Sequence, residues 1–395
     1  MLIQRFLPLC GAAAAFMAWP DDAQASVRFC FQHDSTYTDS GLERAPACTA
    51  DGTCEDEWLT DQPHWALGLI VTITKNGSSQ VFALEEDGGY PGCTTPFNPS
   101  GGDAGWYSIN LLSAAVVNNR WIIAGDADDQ VASHVFSYFH QGFGNPTITY
   151  TGTAGQSFAQ FNVLSAATRT ASKFATGPGL NFSVAPTTPC SGGGNCYQNG
   201  PKKLNIETTN GSHLNKFLIA HEIGHAVMHD TLGAAAISDC NFSTGGANCQ
   251  APNHAMRSKE HNSCALVEGF AHYFAAAVWN FDTGTDCWFT YWSPNNTPVS
   301  CELGTTNYPL RQLETQCLPS WIGKGTELDW MRALWDYNQN PAPLPRPDFD
   351  GVLDLIDAAP TWGTADAWLR MDDGADILGE SGRWTTVSKL NGIDH

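Results

Sequence analysis

Cations are scarce in this chain. Its 395 residues include 19 lysines and arginines against 40 aspartates and glutamates, a formal charge of −21 at pH 7. Such a balance disfavours nucleic acid and anionic membrane surfaces as partners. It suits a soluble extracellular protein, or one acting on cationic or neutral substrates, and acidity that only keeps the protein soluble explains it equally well. After the first 25 residues no apolar run is long enough to span a bilayer. No C-x-x-C pair is present, which removes zinc-finger and dithiol redox motifs. Internal repeats and low-complexity tracts are missing too. Asp126, Asp128 and Asp129 beside Gly125, and Asp348, Asp350 and Asp354 around Gly351, lack the spacing of an EF-hand loop. A Ca2+ ion at either would rest on composition alone, against a reading as ordinary acidic turns.

The apolar stretch that does exist lies at the start. Arg5 precedes Phe6 to Trp19, and Ala23-Gln24-Ala25 before Ser26 is a small-x-small cleavage pattern, so residues 1–25 read as a secretory signal peptide cut near Ala25. The expected location is extracellular or periplasmic. Cys10 leaves with that segment, and an even set of twelve cysteines remains. In an exported chain this argues for up to six disulfides. Short intervals make Cys48 with Cys54, Cys190 with Cys196, and Cys240 with Cys249 plausible local loops, although spacing does not fix connectivity.

The densest chemistry is His221-Glu222-Ile223-Gly224-His225, set in an apolar run from Phe217 to Met228 that reads as a helix. Four residues apart on a helix, His221 and His225 stand one above the other and can reach one zinc ion, while Glu222 addresses a water on it. Burying two imidazoles and a carboxylate in so apolar a segment is costly unless something coordinates or pairs them. Two histidines need a third protein ligand. Glu268 is the best candidate, a lone carboxylate among Ala265, Leu266, Val267, Phe270 and Phe274 at the head of a second apolar helical stretch running to about Asn280. A metzincin pattern would place Gly at 228 and His or Asp at 231, where this chain has Met228 and Thr231. His229 reads as a histidine at a helix C-terminus.

With H-E-x-x-H on one helix and a glutamate on the next, the chain resembles the gluzincin metallopeptidases. Glu268-Gly269-Phe270-Ala271 is similar to the E-G-F-A run around the third ligand in the aminopeptidase branch of that group. The resemblance covers about residues 200–280. The interval between His225 and Glu268 is longer than in that branch, and no G-x-M-E-N-type segment is present, so aminopeptidase specificity does not carry over. The resemblance implies one Zn2+ ion, His221, His225 and Glu268 as its ligands, and Glu222 as the general base that passes a proton from water to the leaving amine. His272, one turn beyond Glu268, could hold a ligand by a hydrogen bond or could simply pack. Tyr273, His254, His261, Tyr291 and Tyr337 are all eligible by type as oxyanion donors.

The texture of the mature chain changes along its length. Short strand signals, Trp65 to Thr74, Gln80 to Leu84, Trp106 to Leu112 and Arg120 to Ala124, with Asn76-Gly77 as a hairpin turn, suggest a small β-sandwich-like domain over residues 26–130. It would be a substrate- or surface-binding module, or else a structural or inhibitory pro-segment. From 131 to 395 the pattern is mixed α+β: strands at Thr147 to Thr151, Leu180 to Val184 and Lys203 to Glu207, helices at Phe158 to Phe174, Glu327 to Tyr337 and Phe349 to Ala358, and a Pro-rich loop from Asn340 to Pro347. The order of these elements resembles a zincin-like metallopeptidase domain with a helical C-terminal lobe. By that analogy the strand near Leu204 to Thr208 would border the cleft and pair with an extended substrate through an open edge.

The expected protein is therefore a secreted zinc-dependent metallopeptidase acting on peptide or protein substrates, an endopeptidase in the first instance. The rivals are a secreted binding or adhesion protein with a non-catalytic zinc site, and a zinc hydrolase of a non-peptide amide or ester. An intact Glu222 argues against the first rival, because a structural site has no use for a base.

Overall fold

The computed structural model describes residues 26–34, 64–86, 89–151, 155–174, 177–190, 194–232, 262–279, 288–289, 299–300, 326–339, 349–358 and 367–393. The expected signal peptide, His254, His261, Tyr291 and the Pro-rich loop lie outside these residues, as do Cys48, Cys54, Cys240 and Cys249.

Period-2 burial organises the first half of the chain. In β3 (Leu69–Lys75), Leu69, Val71 and Ile73 are buried while the residues between them are partly exposed. β3 runs into β4 (Ser78–Ala83) through Asn76 and Gly77, whose φ angles of 51° and 79° are both left-handed. Asn-Gly is the pair that tolerates such a turn, and it sets the register Lys75 to Ser78. β5 (Gly105–Val117) pairs antiparallel with β3, with β6 (Arg120–Gly125) and with β7 (Ser133–His140). Beyond β6 come β9 (Leu180–Ala185), β11 (Lys203–Glu207) and β10 (Cys196–Gln198), giving an eight-stranded sheet ordered β10-β11-β9-β6-β5-β3-β4 with β7 beside β5. A smaller sheet joins β2 (His64–Trp65), β1 (Cys30–His33) and β8 (Thr147–Tyr150). β12 (Trp288–Phe289) and β13 (Val299–Ser300) form a third pair.

This connectivity corrects the expected β-sandwich-like domain over 26–130. β6 pairs in parallel with β9, Ile122 opposite Leu180 through Gly125 opposite Ser183, so a single sheet continues across residue 130. The crossover between them is α1 (Gln156–Ser172), and one buried cluster runs from Val27 to Ile393. Short apolar strands fit a closed sandwich and an open mixed sheet equally well; which strands pair is a long-range matter that local pattern does not encode. The α+β class stands.

α1 is buried on nearly all sides, polar residues included. Two of its buried amides reach carbonyls of other segments: Gln160 Nε2 donates to those of Ala124 and Gln130 at 2.9 and 2.8 Å, and Asn162 Nδ2 to that of His213 at 2.7 Å. These bonds tie the sheet to the segment that opens α2 (Lys216–Leu232). Asn215 begins α2, its side-chain oxygen accepting from the Leu218 N–H at 2.8 Å. After α3 (Asn262–Trp279), the C-terminal part is helical: α4 (Glu327–Gln339), α5 (Phe349–Asp357), α6 (Ala367–Leu378) and α7 (Ser381–Asn391).

Two disulfides occur among the described residues. Cys190–Cys196 is one of the local loops expected from spacing, and Cys30–Cys93 spans 63 residues and was not legible from spacing. No helix among these residues is long and apolar enough to cross a membrane.

Candidate metal centre

α2 and α3 meet at Gly224. A Cβ there would come within 2.9 Å of the Ala271 Cα and 3.2 Å of the Phe274 Cβ, so the glycine inside the H-E-x-x-H run is what lets the two helices touch. That contact brings Glu268 to the histidine pair. Glu268 Oε2 lies 3.3 Å from His221 Nε2 and 3.2 Å from His225 Nε2, and the two Nε2 atoms are 3.1 Å apart. Among the described residues this is the group of side chains able to hold a metal ion.

The donor set fits zinc. Donors about 2.0–2.1 Å from a tetrahedral ion stand about 3.3 Å from one another, close to the spacing observed. Burial, reinforced by the neighbouring His272 and His225 and opposed by Glu268, pulls the His221 imidazole down to about 3, so the ring is neutral and its nitrogen lone pair is available for coordination. Side-chain exposure is 1% at His221, 9% at Glu268 and 14% at His225, so solvent reaches the trio from the His225 side. Glu222, one residue after the first histidine, is 3% exposed.

His272 is 2% exposed, its ring centroid 4.4 Å from that of His221. Its Nε2 meets Glu327 Oε2 of α4 at 3.1 Å, and both side chains are buried. Glu327 escaped the sequence reading, where it was only the start of a helix. The available signal was Thr326-Glu327-Leu328-Asp329: Thr326 and Asp329 form a capping box, with Asp329 Oδ2 accepting from the Thr326 N–H at 3.1 Å and Thr326 Oγ1 from the Asp329 N–H at 3.3 Å. The box fixes the first turn of α4 and with it the carboxylate of Glu327. Glu327→Ala should therefore cost about 3–5 kcal/mol of stability, as removal of one partner of a buried pair does. It should also weaken metal binding by about tenfold through the His272 ring that packs on His221. Glu327→Gln, which keeps an acceptor, should recover most of both. Urea unfolding and competitive chelation read the two effects separately, and wild-type metal affinity in Glu327→Ala would show that His272 only packs.

Gly269, the second residue of Glu-Gly-Phe-Ala, serves the next contact. A Cβ there would stand 2.4 Å from the Trp330 Cβ and 2.8 Å from the Glu327 carbonyl oxygen. Gly269→Ala should push α4 away from α3 at a cost of about 1–3 kcal/mol. A lowered urea midpoint at constant slope is the expected result; an unchanged midpoint would mean that the helices separate freely.

The other residues singled out from sequence fall elsewhere. Tyr337 donates its hydroxyl to Glu380 at 2.6 Å, and burial together with Glu380 raises the phenol pKa, so this hydroxyl is committed to the α4–α7 contact. Tyr273 is fully buried on α3, about 100° around the helix from His272, with its ring 6.1 Å from Phe270. His229 lies one turn past His225 and meets the Tyr197 hydroxyl through Nδ1 at 3.2 Å. Asp230 faces Lys202 at 3.5 Å. The Asp126 turn is closed by its own bonds: Asp126 Oδ1 accepts from the N–H groups of Asp128 and Gln130 at 2.8 and 2.9 Å, and Asp129 pairs with Lys203. Asp350 and Asp354 lie on α5.

β11 is not the edge expected to pair with substrate. It is flanked by β9 and β10, and β10 is the outer strand. Three residues long, β10 carries little periodic signal. Its position follows from the Cys190–Cys196 disulfide and the Tyr197 to His229 bond, which hold it beside α2.

Residues 167–301 match the family model of the mycolysin C-terminal domain. The match covers less than half of the chain and includes α2 and α3 with the whole donor set, and it points to a relation with the mycolysin-type metallopeptidases over that segment. No curated protein and no solved structure matches the chain.

Proposed function

We propose that this chain is a secreted zinc metallopeptidase that cleaves within peptide chains. The observation that carries the reading is the convergence of His221, His225 and Glu268 to mutual distances of 3.1 to 3.3 Å, with the carboxylate of Glu222 on the same helix. The mycolysin match over the same segment, a relation to zinc-dependent secreted peptidases, supports it. A zinc ion at this site supplies a Lewis acid for the scissile carbonyl and acidifies water.

The chain's own residues supply the rest. Glu222 accepts the proton of the attacking water and returns it to the leaving amine. His272, fixed by Glu327, limits rotation of the His221 ring. β10 is the edge strand to which an extended peptide can add, because its outer side has no partner strand among the described residues. That strand carries two uncharged polar side chains, Tyr197 and Gln198. Signal-peptide export belongs to the same proposal.

The test is cleavage of a diverse peptide library by the zinc-loaded mature protein, with Glu222→Gln as the blank. Internal cuts made by the wild type alone establish an endopeptidase and reveal its subsites. Full zinc occupancy without any wild-type cuts would overturn the reading.

A further inference from the structure

The eight-stranded sheet buries one face and leaves much of the other in solvent. Along β5 the inward residues Tyr107, Ile109 and Leu111 are buried, and the outward series begins Trp106, Ser108, Asn110. β7 lies opposite in register, Trp106 facing Phe139, Ser108 facing Ser137 and Asn110 facing Val135. Trp106, Phe139 and Val135 are 66%, 49% and 62% exposed, which is far from the ordinary state of large apolar side chains grouped on one face. Trp106 and Phe139 stand 5.2 Å apart, centroid to centroid, at 59°, an aromatic ledge at one end of the ribbon.

Charge is the second unusual property of this face. In a chain of formal charge −21, none of the outward positions on β4, β3, β5 and β7 is acidic or basic; between the aromatic and aliphatic residues they are serines, threonines and an asparagine. Among the described residues no protein hydrogen bond engages the hydroxyls of Ser108 or Ser137, both exposed. Asn110 accepts the Ser133 hydroxyl through Oδ1 at 2.7 Å and keeps its amide hydrogens to donate.

We propose that this β5–β7 face binds a neutral polysaccharide. An aromatic ledge offers its π-faces to the apolar C–H face of a sugar ring, and adjacent hydroxyls and an amide can both donate to and accept from sugar hydroxyls. A ligand without charge is the one this surface suits. Among the described residues, the outward positions of its four strands carry no cation to attract phosphate, sulfate or an anionic lipid, and no carboxylate to attract a basic peptide. A second copy of the chain would bring another strongly acidic molecule against it. An uncharged, hydroxyl-lined ribbon on the secreted hydrolase proposed above would hold the enzyme on a glycan-rich matrix, with no part in bond cleavage.

The experiment is native electrophoresis of the full mature protein through gels containing hydroxyethylcellulose or glucomannan, with carboxymethylcellulose as the anionic counterpart. The wild type is expected to be retarded in at least one neutral gel. Trp106→Ala with Phe139→Ala should bind at least about tenfold more weakly, the loss expected for two stacking rings. Ser137→Asp, which keeps both rings and adds a charge between the ribbon's polar groups, should also be retarded less than wild type in the neutral gel when each protein's mobility is divided by its mobility in a polysaccharide-free gel. Equal thermal midpoints for the variants and the wild type establish that the fold survives. Free migration of the wild type in both neutral gels, or equal retardation of the double variant, overturns the proposal. So does a sedimentation mass that halves in the double variant, which would make this face a contact between two copies.

Discussion

Replacing Glu222 with Gln is expected to lower peptide hydrolysis by about a hundredfold to ten-thousandfold, the usual contribution of a positioned general base, while zinc stoichiometry stays at the wild-type value. The side chain is 3% exposed on a helix whose neighbours are buried, so an isosteric amide keeps the packing. What changes is proton affinity: a carboxylate can take a proton at neutral pH and an amide cannot. Removing a buried charge should leave stability equal to or slightly above wild type. Metal analysis, thermal unfolding and initial rates on one cleaved peptide give the three numbers. A variant as fast as the wild type would remove Glu222 from the reaction and with it the proposed chemistry.

Glu268→Ala is expected to act on the metal. It removes one of three donors and leaves two imidazole nitrogens 3.1 Å apart with no carboxylate between them. Zinc affinity should fall by more than about a hundredfold, beyond the effect typical of residues that only orient a ligand, and dialysis against a weak chelator should then strip the protein. Hydrolysis should fall in proportion to occupancy and return in part at high free zinc. His229 and Asp230, the next potential donors along α2, stand in other contacts in this structure, His229 Nδ1 with the Tyr197 hydroxyl and Asp230 with Lys202. Full zinc retention after dialysis would sink the assignment of Glu268.

Much of the donor set was legible because the signal is local. His221 and His225 are four residues apart on one helix, and helical geometry alone puts them side by side. Glu268 was legible for a different reason. A single carboxylate in a run of apolar residues is costly to bury unless compensated, so its presence points to a partner even when the partner is unknown. The strands of β3, β4 and β11 and the turn at Asn76 and Gly77 follow from period-2 patterning and from the φ angles that the pair accepts. Gly224 and Gly269 were visible as letters, but their purpose depends on what stands opposite each: Ala271 and Phe274 in one case, Trp330 and Glu327 in the other.

By itself, then, the sequence marked His221, His225 and Glu268 as candidate donors and set the α+β character of the chain, because each is carried by local spacing or local composition. Tertiary structure decided the rest: that the first strands join the same sheet as β9 and β11, that β10 covers the β11 edge, that Glu327 reaches His272 from 55 residues away, and that the Tyr337 hydroxyl serves Glu380. Those outcomes depend on contacts between distant segments. Each is chosen by the burial and polar satisfaction of the whole core, which no local window of sequence contains.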